Sequence, residues 1–108
     1  MSDIFVMIRN QDNVALTSID GIAFVTQLQR SGKVLAEEIV ELTYADAGFD
    51  DLPLGQYSIV VGHECVAPEE VSYDTKILAE DDVIFLTFVY LEPERIFLQV
   101  QAVVEKRL

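Results

Sequence analysis

Cysteine, histidine, tryptophan and basic side chains are all scarce in this sequence of 108 residues, and each scarcity closes off a class of function. The one cysteine, Cys65, cannot form an internal disulfide, so the chain reads as a protein of a reducing compartment. The one histidine, His63, is the sole candidate for a histidine base, and no serine is marked out as its partner. Zinc needs three or four His, Cys or carboxylate ligands, and His63 and Cys65 are the only soft ones. Nineteen acidic residues against seven basic ones leave a formal charge of −12, a field that repels phosphate and argues against nucleic acid as a partner. No two of the five glycines have the spacing of a phosphate-binding loop, and no cofactor is implied. Apolar runs all fall well short of a membrane span, and the N-terminal stretch has neither the basic region nor the cleavage pattern of a signal peptide. These absences predict a soluble, cytoplasmic protein with no membrane contact.

What is present is a succession of short apolar runs separated by turn residues, the pattern of a β-sandwich or barrel. One core is feasible at this length, and with no linker, repeat or low-complexity segment, 1–108 reads as a single domain. Runs at 4–8, 14–19 and 22–29 are closed by "NQDN", "DG" and "RSGK", and Ser31-Gly32 suits a hairpin turn that needs positive φ. Residues 34–45 are ambiguous. Leu35, Ile39 and Leu42 repeat at helical spacing, whereas Val40, Leu42 and Tyr44 alternate, which favours a strand over 39–45 with a short helix within 34–45 as the other reading. Tyr57, Ile59 and Val61 line one face of a strand over 56–63, and 71–78 alternates as a half-exposed strand. The stretch 83–91 is apolar on both faces, which marks a central strand or one covered by another subunit, and 95–107 follows it as the second arm of a hairpin. The fold class is all-β: one antiparallel β-sandwich of about seven or eight strands.

The segment Gly48-Phe49-x-x-Leu52-Pro53-x-Gly55-x-Tyr57 resembles the pattern of the transthyretin-like or prealbumin-like sandwiches, which include carboxypeptidase regulatory-like domains and Cna B-type repeats. Local physics agrees, since Pro53 presets φ at the second turn position, Gly55 suits the fourth, and Tyr57 opens a buried face. The resemblance implies the sandwich fold. It also says what is missing. A Cna B-type crosslink joins a first-strand lysine to a last-strand asparagine, but this chain has Arg9 in its first strand, and its only asparagines are Asn10 and Asn13. The 5-hydroxyisourate hydrolases of similar fold use more than one histidine and a C-terminal Tyr-Arg-Gly-Ser, whereas this chain has one histidine and ends "EKRL".

From these features the sequence points to a non-catalytic acidic module for protein–protein interaction or assembly, with a protein partner or self-association as a homodimer. The surface would be built on the last two strands, with Phe85, Val89, Phe97, Gln99 and Gln101 as its residues. A second reading is a calcium-responsive domain using Asp46, Asp50 and Asp51, which cluster in one predicted loop, with Glu80, Asp81 and Asp82 in another. A third is an enzyme acting through His63 and Cys65, which lie on the same side of any strand that holds both.

Overall fold

Alternation of inward apolar and outward polar side chains builds ten strands in the computed structural model, which describes residues 2–107. They are β1 (Ser2–Asn10), β2 (Ser18–Ile19), β3 (Ile22–Ala23), β4 (Val25–Arg30) and β5 (Lys33–Ile39), then β6 (Asp46–Leu52), β7 (Gly55–Gly62), β8 (Glu70–Ile77), β9 (Asp82–Leu91) and β10 (Ile96–Lys106). Two four-stranded sheets, ordered β10-β9-β1-β6 and β5-β4-β7-β8, pack face to face, and β2-β3 is a small hairpin apart from both. No helix long and apolar enough to cross a membrane occurs among the described residues.

The core is what the alternating positions supply. Ile4, Val6 and Ile8 of β1 and Ile84, Leu86, Phe88 and Tyr90 of β9 face Leu28, Tyr57, Ile59 and Val61 of the other sheet, all buried. Each such side chain contributes about 1.5–3 kcal/mol on leaving water. The doubly apolar β9 lies between β1 and β10, and its outward residues Val83 and Phe85 are only half-buried. All ladders are antiparallel except one: β1 and β9 run parallel, from Asp3 opposite Val83 to Asn10 opposite Tyr90. Nothing in the alternation of either strand distinguishes that pairing, because inward and outward positions repeat every two residues in both orientations.

The ambiguous region resolves differently from the sequence reading. Lys33–Ile39 is a strand, but 40–45 is a turn, and the strand placed over 39–45 does not form. The Glu41 carboxylate accepts hydrogen bonds from the Thr43 amide at 2.9 Å and from the Tyr44 amide, which stops the alternation of Val40, Leu42 and Tyr44 from being used. Asp46–Leu52, which carries the three aspartates that the sequence places in a loop, is instead a strand paired with β1. Gly48 sits opposite Phe5, and a β-carbon there would come within 3.0 Å of the Phe5 ring, so the glycine makes room for an aromatic on the neighbouring strand. The run 22–29 likewise splits, with β3 in the separate hairpin and β4 in a main sheet.

The Leu-Pro-x-Gly-x-Tyr segment is fastened by its own side chains. The Tyr57 hydroxyl donates to the Pro53 carbonyl at 2.7 Å, Arg30 donates to that hydroxyl at 3.3 Å and to the Leu54 carbonyl at 3.1 Å, and the guanidinium lies 5.1 Å from the Tyr57 ring centre. Gly55 has φ +141, and a β-carbon on it would run into Arg30.

Candidate functional site

Sequence reasoning singles out three groups of residues, and the fold treats each differently. His63 is 5% exposed, and both ring nitrogens are engaged: Nε2 lies 2.8 Å from the Ile22 carbonyl, while Nδ1 accepts the Cys65 amide at 2.9 Å. A carbonyl can only accept, so Nε2 carries the proton and the ring is the neutral tautomer with its lone pair already committed. Phe24 packs against it at 4.6 Å between ring centres. His63 therefore ties the loop after β7 to the β2-β3 hairpin, and it does not face the Cys65 thiol as a base. Nearby, Arg95 holds Asp20 with two hydrogen bonds of 2.9 and 3.0 Å, and the guanidinium keeps the Asp20 carboxyl below its usual range.

Asp46, Asp50 and Asp51 lie along strand β6 rather than in a loop. Asp51 has φ 57, and its amide donates to Asp3 Oδ1 at 3.1 Å, an arrangement that ties the strand end to β1. Among the described residues no three His, Cys, Asp or Glu side chains converge to hold a metal ion. Asp82 of the second acidic segment is turned inward, 4% exposed, where it accepts the Leu78 and Ala79 amides at 3.2 and 3.1 Å and pairs with Lys106.

Phe85, Val89, Gln99 and Gln101 do share one surface, the outer face of the β10-β9-β1-β6 sheet. Phe97 does not. The register slips between Phe97 and Gln99, so Leu98 is the extra residue of a bulge, and Phe97 turns inward against Phe88 and Tyr90 at 6.3 and 5.5 Å between ring centres. A bulge leaves no mark on an alternating pattern beyond the one-residue slip itself, which in "IFLQVQ" is masked by apolar residues at three successive positions.

That outer face has two halves. Toward one end, Phe5 and Phe85 stack at 5.5 Å, with Val103 opposite Phe85. Toward the other, Gln99, Val89 and Arg9 form one row across three strands. The loop after β1 folds over this row, leaving Val89 only 7% exposed although it points outward. The result is a cleft of about 260 Å³ bounded by Asn10, Gln11, Asn13, Leu98, Gln99 and Gln101 around Val89.

The carboxamides around this cleft divide by what they already hold. Asn10 accepts the Asp12 and Val14 amides at 2.9 and 3.0 Å and donates to Glu92, while Gln11 exchanges two hydrogen bonds with the Glu92 backbone at 2.7 and 2.9 Å. These shape the loop. The carboxamides of Asn13, Gln99 and Gln101 make no side-chain hydrogen bond among the described residues. Arg9 donates to the Tyr44 carbonyl at 3.3 Å, beside the start of β6, so its guanidinium is held on the side of β1 away from β9 and β10 and does not line the cleft. Sequence reasoning named Val89, Gln99 and Gln101 but missed Asn10, Gln11 and Asn13, because the loop that carries them meets β10 only through the parallel β1-β9 pairing.

No protein-family model matches the sequence, and no curated protein matches it. Among solved structures, the whole chain superposes on 94% of the Klebsiella pneumoniae 5-hydroxyisourate hydrolase, with a TM-score of 0.68 and 16% identity. The fold is a transthyretin-like β-sandwich. At that identity the likeness is one of fold, and it corrects the functional expectation. The frame read from the sequence as a non-catalytic interaction module is, end to end, the frame of an enzyme in the neighbouring structure, so the sandwich is no mark of a non-catalytic role.

Proposed function

We propose that this chain binds a small planar ligand rich in amide groups, of the ureide or imide type, in the cleft over Val89. The observation that carries the reading is the gathering of unengaged carboxamides, Asn13, Gln99 and Gln101, around an apolar floor. A carboxamide presents one acceptor and two donors in a plane, the complement of a ring carrying alternating C=O and N–H groups. Val89 and Leu98 offer apolar surface to the ring face. At about 260 Å³ the cleft falls just below the volumes that take drug-sized molecules, which suits one compact ring system. The chemistry agrees with that of 5-hydroxyisourate, a fused-ring ureide named for the solved structure of like fold. The side chains lining the cleft neither give nor take protons near neutral pH, so their part is to bind and orient.

Urate, titrated as its potassium salt into labelled protein, tests the proposal. The side-chain amide signals of Gln99 and Gln101 should shift saturably, together with backbone signals of 9–13 and 97–101. Replacing both glutamines by alanine removes two hydrogen-bonding groups at about 1 kcal/mol each, so affinity should fall by about tenfold or more with thermal stability unchanged. Unmoved carboxamide signals at the solubility limit of urate would overturn the reading.

A further inference from the structure

We propose that the slot between β5 and β6 receives an extended peptide segment of alternating apolar and basic side chains, added as a new strand along the free edge of β5. This surface is separate from the amide-lined cleft and does not depend on it. β5 is the outermost strand of one sheet and β6 of the other, and between them opens a slot of about 280 Å³. Its floor is the core itself: Leu28, 1% exposed, and Phe49, 4% exposed, are reached from outside between Leu35 and Leu52. Val34, Leu35 and Ile39 stand 52%, 53% and 68% exposed on the same strand, a density of apolar surface that edge strands usually avoid.

Two features identify the occupant. The outer edge of β5 carries backbone N–H and C=O groups with no neighbouring strand in its sheet, which an extended chain satisfies and a compact small molecule does not. At the mouth of the slot stand the exposed carboxylates Glu38 and Asp50, neither ion-paired among the described residues, while Arg95, Lys106 and Arg107 are engaged with acids elsewhere. A strand laid on this edge sends alternate side chains toward the slot face, where Glu38 stands beside Ala36 and faces the rim at Asp50, and toward the outer face, which carries Val34, Glu37 and Ile39. Lysine or arginine suits the first, its stem against Leu35 and its charge at Glu38 and Asp50, and apolar residues suit the second. A second copy of this chain is the poorer occupant, because its β5 brings two glutamates and a single lysine to an edge that is already acidic.

The test uses a capped heptapeptide, Val-Lys-Val-Lys-Val-Lys-Val, matched to the seven residues of β5. Titrated into labelled protein at 150 mM salt, it should shift amide signals of 33–39 and of Phe49–Leu52 and slow amide exchange along β5. Glu38→Lys with Asp50→Lys should weaken binding by about tenfold or more. Reversing Glu80 and Glu105 should leave it unchanged. The same peptide with glutamate in place of lysine should not bind, and this arm needs no variant to fold. Shifts spread over the acidic surface, shifts confined to β10, binding of the glutamate peptide, or concentration-dependent β5 signals without peptide would each overturn the proposal, the last in favour of a second copy.

Discussion

Single side chains explain why the most recognisable stretch of this sequence looks as it does. In the Leu-Pro-x-Gly-x-Tyr segment, the tyrosine hydroxyl reaches back to the proline carbonyl, so the turn and the strand that follows are joined by one atom. Pro53, Gly55 and Tyr57 were legible as turn and buried face because each acts within four residues. Arg30, which braces the same turn through the Tyr57 hydroxyl and the Leu54 carbonyl, was not, since its partners lie 27 and 24 residues away. The same limit hid the role of His63, whose nitrogen is spent on a carbonyl 41 residues upstream. Tyr57→Phe keeps the ring in the core and deletes only the hydroxyl, leaving the Pro53 carbonyl and one Arg30 N–H without that partner. The loss should be about 1–2 kcal/mol, seen in urea unfolding as a lower midpoint with an unchanged slope. A loss within error would mean that water replaces the hydroxyl and that the turn is held by Pro53 and Gly55 alone.

Strands with clean alternation declare themselves, and those whose ends are set by a distant partner do not. β7, β8, β9 and β10 fall within a residue or so of the runs at 56–63, 71–78, 83–91 and 95–107, because each pairs with a neighbour over most of its length. β6 escaped notice because "DAGFDDL" has only Phe49 fully buried and is stabilised by β1 rather than by its own pattern. The end of β10 depends on charge. Lys106 pairs with Asp82 and Asp81, Arg107 pairs with Asp3, and the Arg107 amide donates to the Asp81 carbonyl at 2.7 Å. The hydrogen bond from Lys106 is the main reason that the Asp82 carboxyl lies below its ordinary value, with the Ala79 and Leu78 amides adding to it. A carboxyl lowered by folding stabilises the native state fully above its unfolded value, about 3.9, and that contribution disappears as pH falls through the lower native value. Amide exchange at 104–107 should therefore stay slow from pH 6 to about 4 and speed up below it, relative to the middle of β9. In Asp82→Asn the same amides should exchange faster throughout and lose that acid-linked step. A step that persists in this variant would assign it to another acid.

At the scale of the whole molecule, fold and site were unequally legible. The sandwich followed from the number and spacing of alternating runs and from one turn motif, both of which are local. The amide-lined cleft needed the parallel β1-β9 ladder to carry the loop at 10–13 beside β10, and a topology of that kind is a property of the complete chain. Charge is the other whole-molecule property, and it sets a competition that salt can read. Among the described residues three of the seven cations sit in ion pairs, which salt weakens, while a surplus of twelve negative charges repels itself, which salt relieves. The molecule measures 39 × 29 × 21 Å. The screening length is about 30 Å at 10 mM salt and about 8 Å at 150 mM, so the first condition lets acids on opposite sides repel one another and the second confines repulsion to neighbours. The ion pairs span a few ångströms and lose little over that interval, whereas most of the long-range repulsion is removed. Thermal unfolding should accordingly shift upward between 10 and 150 mM sodium chloride, by about 4 °C for each 1 kcal/mol relieved at this chain length. A midpoint that falls instead would mean that the pairs closing β10 and the Asp20–Arg95 contact outweigh the surplus, and the acidity of the surface would then carry little cost to folding.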